Sequence, residues 1–270
     1  MKHTIIKSVC IAAVSFSILI LASCDDDFWT LSPTLDNPWD PDNPNYSIPE
    51  VPTDGLLAEY LFTGNINDSS GNGNNLTGTV GTYVDDRLGN ADSALGFDGT
   101  DDYLVFPSSD TGKFVPNGNM TISFWFKSAV NNGTIFGHSS FYDAYGWKLC
   151  TALNTSDLEF SSDRLSDEVS VGESAVNGYW HHVLLMNDGS FIRFYLDGES
   201  QYLKFGTAEI EYSTTQDELY FFIGARYTNW VGETATLGRF FTGVLDDIRI
   251  YDRNLTEDEI KALTIEGLID

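Results

Sequence analysis

The side chains able to do chemistry are few and widely spaced. Four histidines and three cysteines are spread over 270 residues. No Cys/His spacing suits zinc, and no Gly-x-Ser-x-Gly elbow is present. Gly137-His138-Ser139-Ser140 sets a His beside a Ser, but adjacent residues point apart and no orienting acid accompanies them. Cys150 follows Trp147-Lys148-Leu149 on an apparent strand, where a buried, inert thiol is expected. Two aspartates stand out. In Val244-Leu245-Asp246-Asp247-Ile248-Arg249-Ile250-Tyr251, strict alternation puts Asp246 in a row with Val244, Ile248 and Ile250, an apolar row that should point inward. A carboxylate there needs a partner or a metal. Asp68 opens the loop Ser69-Ser70-Gly71-Asn72-Gly73-Asn74-Asn75, whose glycines permit tight turns. The loop lacks the glutamate of an EF-hand and the Lys-Ser/Thr of a phosphate loop.

Two further regions are rich in aromatic rings. One runs from His138 through Phe141, Tyr142 and Tyr145 to Trp147, and the other from Arg226 through Tyr227, Asn229 and Trp230 to Arg239. Sugar C–H faces stack on aromatic rings, while Asp, Asn and Arg bond hydroxyls. Aromatics in loops are harder to assign to a core than aromatics in strands. Tyr142, Tyr145, Trp147, Tyr227, Asn229 and Trp230 are therefore the candidate glycan-binding residues.

Charge narrows the partners. Lys+Arg number 14 against Asp+Glu 40, a formal net charge of -26. Such a polyanion is a poor partner for nucleic acid or an anionic membrane surface, and a good one for a hard cation. The first residues read as an export signal: Lys2 and Lys7 precede an apolar run from Ser8 to Ala22, too short for a structural membrane span. Leu21-Ala22-Ser23-Cys24 resembles a bacterial lipobox, with lipidation at Cys24 and removal of residues 1–23. The following Asp25-Asp26-Asp27 resembles a surface-export signal, so an outer-membrane lipoprotein facing the exterior is expected. Loss of Cys10 with the signal and lipidation of Cys24 leave Cys150 with no disulfide partner. Residues 24–54 read as an acidic, Pro-rich tether, since residues 28–54 hold six of the eight prolines. About 27 such residues at ~3.1 Å each reach on the order of 80 Å.

From residue 55 to residue 270 the texture is that of one β domain. Leu56–Phe62, Thr121–Phe126, His182–Met186, Phe191–Leu196, Leu219–Ile223 and Val244–Tyr251 are short aromatic and β-branched runs bounded by Gly, Asn and Asp. They predict an all-β, two-sheet antiparallel sandwich or jelly roll. Asn187-Asp188-Gly189-Ser190 predicts a hairpin. One short C-terminal helix is expected: Thr256 and Glu259 form a capping box, Ile260, Leu263 and Ile265 an apolar stripe, and Gly267 a stop.

In order along the chain, Gly55-Leu-Leu-Ala-Glu-Tyr-Leu-Phe, Ala94-Leu-Gly-Phe-Asp-Gly-Thr-Asp-Asp-Tyr, Ile122-Ser-Phe-Trp-Phe, Trp180-His-His-Val, Phe194-Tyr-Leu-Asp-Gly, Ile223-Gly-Ala-Arg and Phe241-Thr-Gly-Val-Leu-Asp-Asp-Ile-Arg-Ile-Tyr resemble the laminin G-like branch of the concanavalin A-like lectin/glucanase jelly rolls. The resemblance implies a structural calcium held by Asp68 and Asp246, with oxygens from Asn72, Asn74 and Asn75. It also implies structural roles for His181 and His182. The Glu-x-Asp-x-x-Glu or Glu-x-Asp-x-Glu motif of the retaining glucanases on this fold is absent, and Glu209-Ile210-Glu211 is the nearest approach. The expected function is a non-catalytic, carbohydrate-binding surface lipoprotein that captures polysaccharide. The alternatives are a protein-binding adhesion or scaffold module, and a glycoside hydrolase whose carboxylates follow another pattern.

Overall fold

The computed structural model describes residues 50–106, 119–140, 146–162, 169–188, 191–201, 219–228 and 236–267. Cys24, Tyr142, Tyr145, Glu209, Glu211, Asn229 and Trp230 lie outside these residues. In chain order the strands are β1 (Leu56–Tyr60), β2 (Thr77–Thr79), β3 (Thr82–Val84), β4 (Ala94–Asp98), β5 (Tyr103–Val105), β6 (Asn119–Lys127), β7 (Thr134–Ser140), β8 (Gly146–Thr151), β9 (Leu158–Ser162), β10 (Val169–Gly172), β11 (Trp180–Asp188), β12 (Ile192–Leu196), β13 (Glu199–Ser200), β14 (Leu219–Ile223), β15 (Arg226–Tyr227), β16 (Leu237–Gly238) and β17 (Thr242–Tyr251). The helix α1 spans Glu257–Ile265.

The strands form two large antiparallel sheets. The first has the order β13-β12-β11-β6-β17-β4-β3, with β1 also pairing β17. The second runs β10-β9-β8-β7-β14-β5-β2, and β15 and β16 form a separate ribbon. Strands β11 and β12 make the expected hairpin, with Asn187 opposite Ile192 and Asp188 N–H donating to Phe191 O. At the next turn Asp197 and Gly198 both have positive φ, 51° and 80°, as a tight two-residue hairpin turn requires.

Aromatic residues fill the space between the sheets. Phe124 and Phe126 from the first sheet and Phe136, Phe160 and Phe221 from the second are all at most 1% exposed. Phe106 stacks on Phe221 at 4.6 Å, and Phe136 lies nearly parallel to Phe221 at 5.7 Å. Each such ring contributes roughly 1.5–3 kcal/mol by leaving water. The outer face of the first sheet is covered as well. Leu184, Met186 and Tyr251 project there and pack against Leu255, Ile260 and Leu263 around α1. That cover explains why β6 and β11 are buried at consecutive positions rather than alternate ones.

The capping box on α1 forms as expected, with Glu259 N–H donating to Thr256 Oγ1 and Thr256 N–H to Glu259. Its buried face is Ile260, Ala262 and Leu263, and Ile265 is only half-buried. The chain docks slightly ahead of the first strand: Val51 packs on the α1 cluster, and Tyr251 donates its hydroxyl to Pro52 O.

Candidate functional site

Asp246 does not sit in the inward row that simple alternation assigns it. Strand β17 is bulged between Asp246 and Arg249, and Asp247 has φ 44°. The extra residue reverses the facing: Leu245 and Ile248 both enter the inter-sheet core, while Asp246 lies across from Trp125 on the side that α1 covers. There its partner is Arg87, which donates from Nη1 to both Asp246 and Asp247 and from Nη2 to Glu266 O. The Arg87 guanidinium also lies 4.7 Å from the Trp125 ring centroid. Arg249 extends the network, donating from Nε to Glu59 and in bidentate fashion to Glu266. Burial, reinforced by the neighbouring Asp247, pushes the Asp246 carboxyl up against the opposing pull of Arg87. The network ties the end of α1 to β17 and β1.

Asp68 and its loop form a separate knot. Asp68 Oδ1 accepts the N–H groups of Glu59 and Ser70, and Oδ2 accepts that of Asn74. Asn72 and Asn74 turn their amide nitrogens onto the Leu57 carbonyl, and Asn75 accepts the Asp68 N–H. Burial draws the Asp68 carboxyl upward. Hydrogen bonds from the Ser70 side chain and from the Glu59, Asn74 and Ser70 backbones outweigh it and leave the group below the usual range. The structure thus brings Asp68, Asn72, Asn74 and Asn75 together and gives Asp246 another partner. The two carboxylates are occupied by N–H donors and by a guanidinium respectively, so as a set these five residues do not fit one calcium ion. A second acidic group occurs at the β4–β5 turn, where oxygens of Asp98, Asp101 and Asp102 approach within 4.8 Å of one another. That turn is held by its own bonds, Asp98 N–H to Asp102 and Thr100 N–H to Asp98.

The three histidines among the described residues sit in three different settings. His138 lies between the sheets, parallel to Trp147 at 6.3 Å, and burial pushes its pKa down to about 4. His182 is fully buried on the α1 side, bonded to Ser123 Oγ and to Thr264 Oγ1 of the helix, and burial pushes it down to about 3. Thr264 gives its own proton to Ile260 O, so the neutral ring carries its hydrogen on Nδ1. His181 is half-buried at the sheet end and faces Asp197 and Asn177.

Of the aromatic glycan candidates within the described residues, Trp147 and Tyr227 part company. Trp147 is 3% exposed and packed between Phe160 and Phe221 at 6.0 and 5.5 Å. It belongs to the core, because β8 begins at Gly146 and already alternates inward at Trp147. Tyr227 lies on the outer face of the second sheet. Strand β14 sends Phe221 inward and Tyr220 and Phe222 outward, where the last two stack at 5.7 Å. Tyr227 meets both edge-on, at 5.8 and 5.0 Å, and Tyr103 of β5 meets Phe222 at 6.3 Å. The three tyrosines are half-buried. This fold-back needs a glycine at 137: a Cβ there would come within 2.8 Å of Arg226 Cβ and 2.9 Å of Ala225 O. Lys148, opposite Gly137, and Ser161, opposite Lys148, continue the same row across β8 and β9. Phe222 is 2% exposed and backs the tyrosines, whose half-buried rings can stack on a ligand while nearby Arg226, Lys148 and Ser161 bond polar groups. Tyr220 escapes sequence reasoning because Leu219–Ile223 is apolar or aromatic at every position, so its pattern does not say which ring faces out.

Two packed antiparallel sheets with one short helix define a jelly-roll sandwich of the lectin kind. The chain belongs to the concanavalin A-like lectin/glucanases superfamily, whose family model matches residues 98–261, more than half of it. Similar solved structures share the fold at low identity. Domain 4 of AbnA, an extracellular GH43 arabinanase from Geobacillus stearothermophilus solved with arabinotriose, is 21% identical at TM-score 0.54, over 77% of this chain and 98% of that one. The receptor-binding domain of botulinum neurotoxin C/D mosaic serotype is 16% identical at TM-score 0.56, over 81% and 52%. A Trypanosoma rangeli sialidase solved with the inhibitor DANA is 18% identical at TM-score 0.56, over 81% and 34%. This chain therefore spans about half of the toxin domain and a third of the sialidase.

Proposed function

We propose that this chain is a carbohydrate-binding module that grips polysaccharide on the outer face of its second sheet. The observation that carries the reading is the cluster of Tyr103, Tyr220, Phe222 and Tyr227 on that face, while α1 covers the outer face of the other sheet. Arg226 and Lys148 supply hydrogen-bond donors beside the rings. Arabinotriose in the AbnA domain and a sialyl ligand in a botulinum DC binding domain support a sugar as the ligand class for this architecture. Tyr142, Tyr145, Asn229 and Trp230 lie outside the described residues, and their part in the reading rests on the sequence alone.

The domain is carried on the acidic tether and anchored through lipid on Cys24 in the outer membrane, facing outward. Metabolic labelling with a lipid analogue is expected to mark the wild type and not Cys24→Ser. Binding is tested by calorimetric titration against a panel of soluble polysaccharides. Tyr227→Ala is expected to weaken the binding polysaccharide about tenfold, ~1.4 kcal/mol, with unchanged fold. A panel in which nothing binds, while a protein ligand does and loses affinity in the same variant, would replace the sugar by a protein partner.

A further inference from the structure

We propose that His181 is a proton-operated clip that sets the position of Tyr179, which at 74% exposure is the most exposed large hydrophobic side chain among the described residues. The segment 173–179 leads from β10 into β11. Within it, Asn177 Oδ1 accepts the Tyr179 N–H at 2.9 Å, and Asn177 Nδ2 donates to Ser174 O at 2.9 Å. These two bonds fix which end of the amide is oxygen. The same Oδ1 lies 3.1 Å from His181 Nε2. On the other side of the ring, Nδ1 lies 2.8 Å from Asp197 Oδ2. Asp197 is itself immobilised: its Oδ1 accepts the His182 N–H at 2.9 Å, its N–H bonds His182 O, and its φ is that of the tight β12–β13 turn.

Both ring nitrogens therefore face oxygens that can only accept. A neutral imidazole has one donor and one lone pair, so it satisfies one of these oxygens and repels the other. The imidazolium donates to both. The carboxylate on its rigid turn keeps its bond, and the longer contact to Asn177 is the one lost on deprotonation. That loss loosens the oxygen that also holds the Tyr179 backbone.

Asp157 accepts the Ser174 N–H at the start of the clipped segment. On the β12–β13 turn the facing group is Asp197, with Glu199 beyond it on β13. From β6, the Phe126 ring lies at 6.0 Å, and the Lys127 ammonium is engaged over the Trp180 ring at 5.1 Å. Glu173 starts the clipped segment and is exposed, and His182 projects to the opposite face of β11. Protonation of the ring thus closes the clip and loss of that proton opens it.

Hydrogen–deuterium exchange of the full chain at about pH 5 and about pH 8, corrected for intrinsic rates, tests this. Protection of the amides of 177–179 is expected to drop on the order of tenfold at the higher pH, the worth of one hydrogen bond to a charged group. His181→Gln, which retains a donor but no titration, is expected to remove the pH dependence. Asn177→Asp is expected to carry protection to higher pH by offering a full carboxylate. Nitrogen NMR of the wild type is expected to find both ring nitrogens of His181 protonated at the lower pH. Equal protection of 177–179 at both pH values, or a single ring N–H throughout, would overturn the proposal even if neither variant folds.

Discussion

His138 and His182 must remain neutral in the folded state, and that makes the domain sensitive to acid. Burial depresses them to about 4 and about 3, below the ~6.5 of an unfolded chain. Their contribution is complete above about pH 6.5 and is lost as pH falls, because the unfolded state takes up protons that the folded state refuses. Each group contributes a slope of about 1.4 kcal/mol per pH unit. Asp246 acts in the opposite sense: its carboxyl is raised by burial and by Asp247, so its contribution is lost as pH rises. The two histidines outweigh the one aspartate, so stability falls as the pH drops from about 6.5 toward 4, and Glu259 and Asp68, held below their usual ranges by hydrogen bonds, add to the loss at the acid end. His138→Phe keeps the stack on Trp147 and is expected to flatten that slope in urea titrations. An unchanged slope would contradict the assignment. The histidines' environments were only partly legible in the sequence. The placement of adjacent His181 and His182 on opposite faces follows from strand alternation, but the Ser123 and Thr264 partners of His182 come from other elements.

At the scale of elements, the charged network fastens α1 and the 86–90 turn to β17. Arg87 neutralises Asp246 and Asp247 together. Arg87→Met is expected to cost about 3 kcal/mol, since it leaves the buried Asp246 carboxylate beside Asp247 without its guanidinium partner. Adding Asp246→Asn and Asp247→Asn is expected to restore much of that loss, as measured by denaturant unfolding. No recovery would mean that Arg87 acts through its packing on Trp125 instead. The strands and the capped helix were legible because their signals are local: alternation over five or six residues, and Thr256 three residues before Glu259. The Arg87–Asp246 pair spans 159 positions and depends on a one-residue bulge. Strict period-two reading inverts at a bulge, which is why it assigns Asp246 to the inward row. Trp147 shows the same difficulty at a strand end, where a loop-like run of aromatics passes into a buried strand within one residue.

At the scale of the molecule, a large aromatic core and internally satisfied carboxylates hold the sandwich together. Asp68 accepts three N–H groups and Asp246 holds Arg87, so chelation is expected to leave the melting temperature unchanged. A midpoint lowered by chelator and restored by calcium would contradict that accounting. The sandwich leaves one outer face under a helix and the other lined with tyrosines, which gives the domain two unlike sides. That sidedness was not legible in the sequence, because it depends on which of two aromatic rows in β14 faces out and on the glycine at 137 that lets β15 fold back. The central claim is that the tyrosine-lined face of the second sheet grips sugar. Amide chemical-shift mapping of the labelled domain, titrated with the polysaccharide fragment that binds in calorimetry, tests it most directly. The expected result is shifts concentrated at Tyr103, Lys148, Tyr220, Phe222 and Tyr227. Shifts confined to the α1 side, or to the loop end around Tyr179, would contradict it.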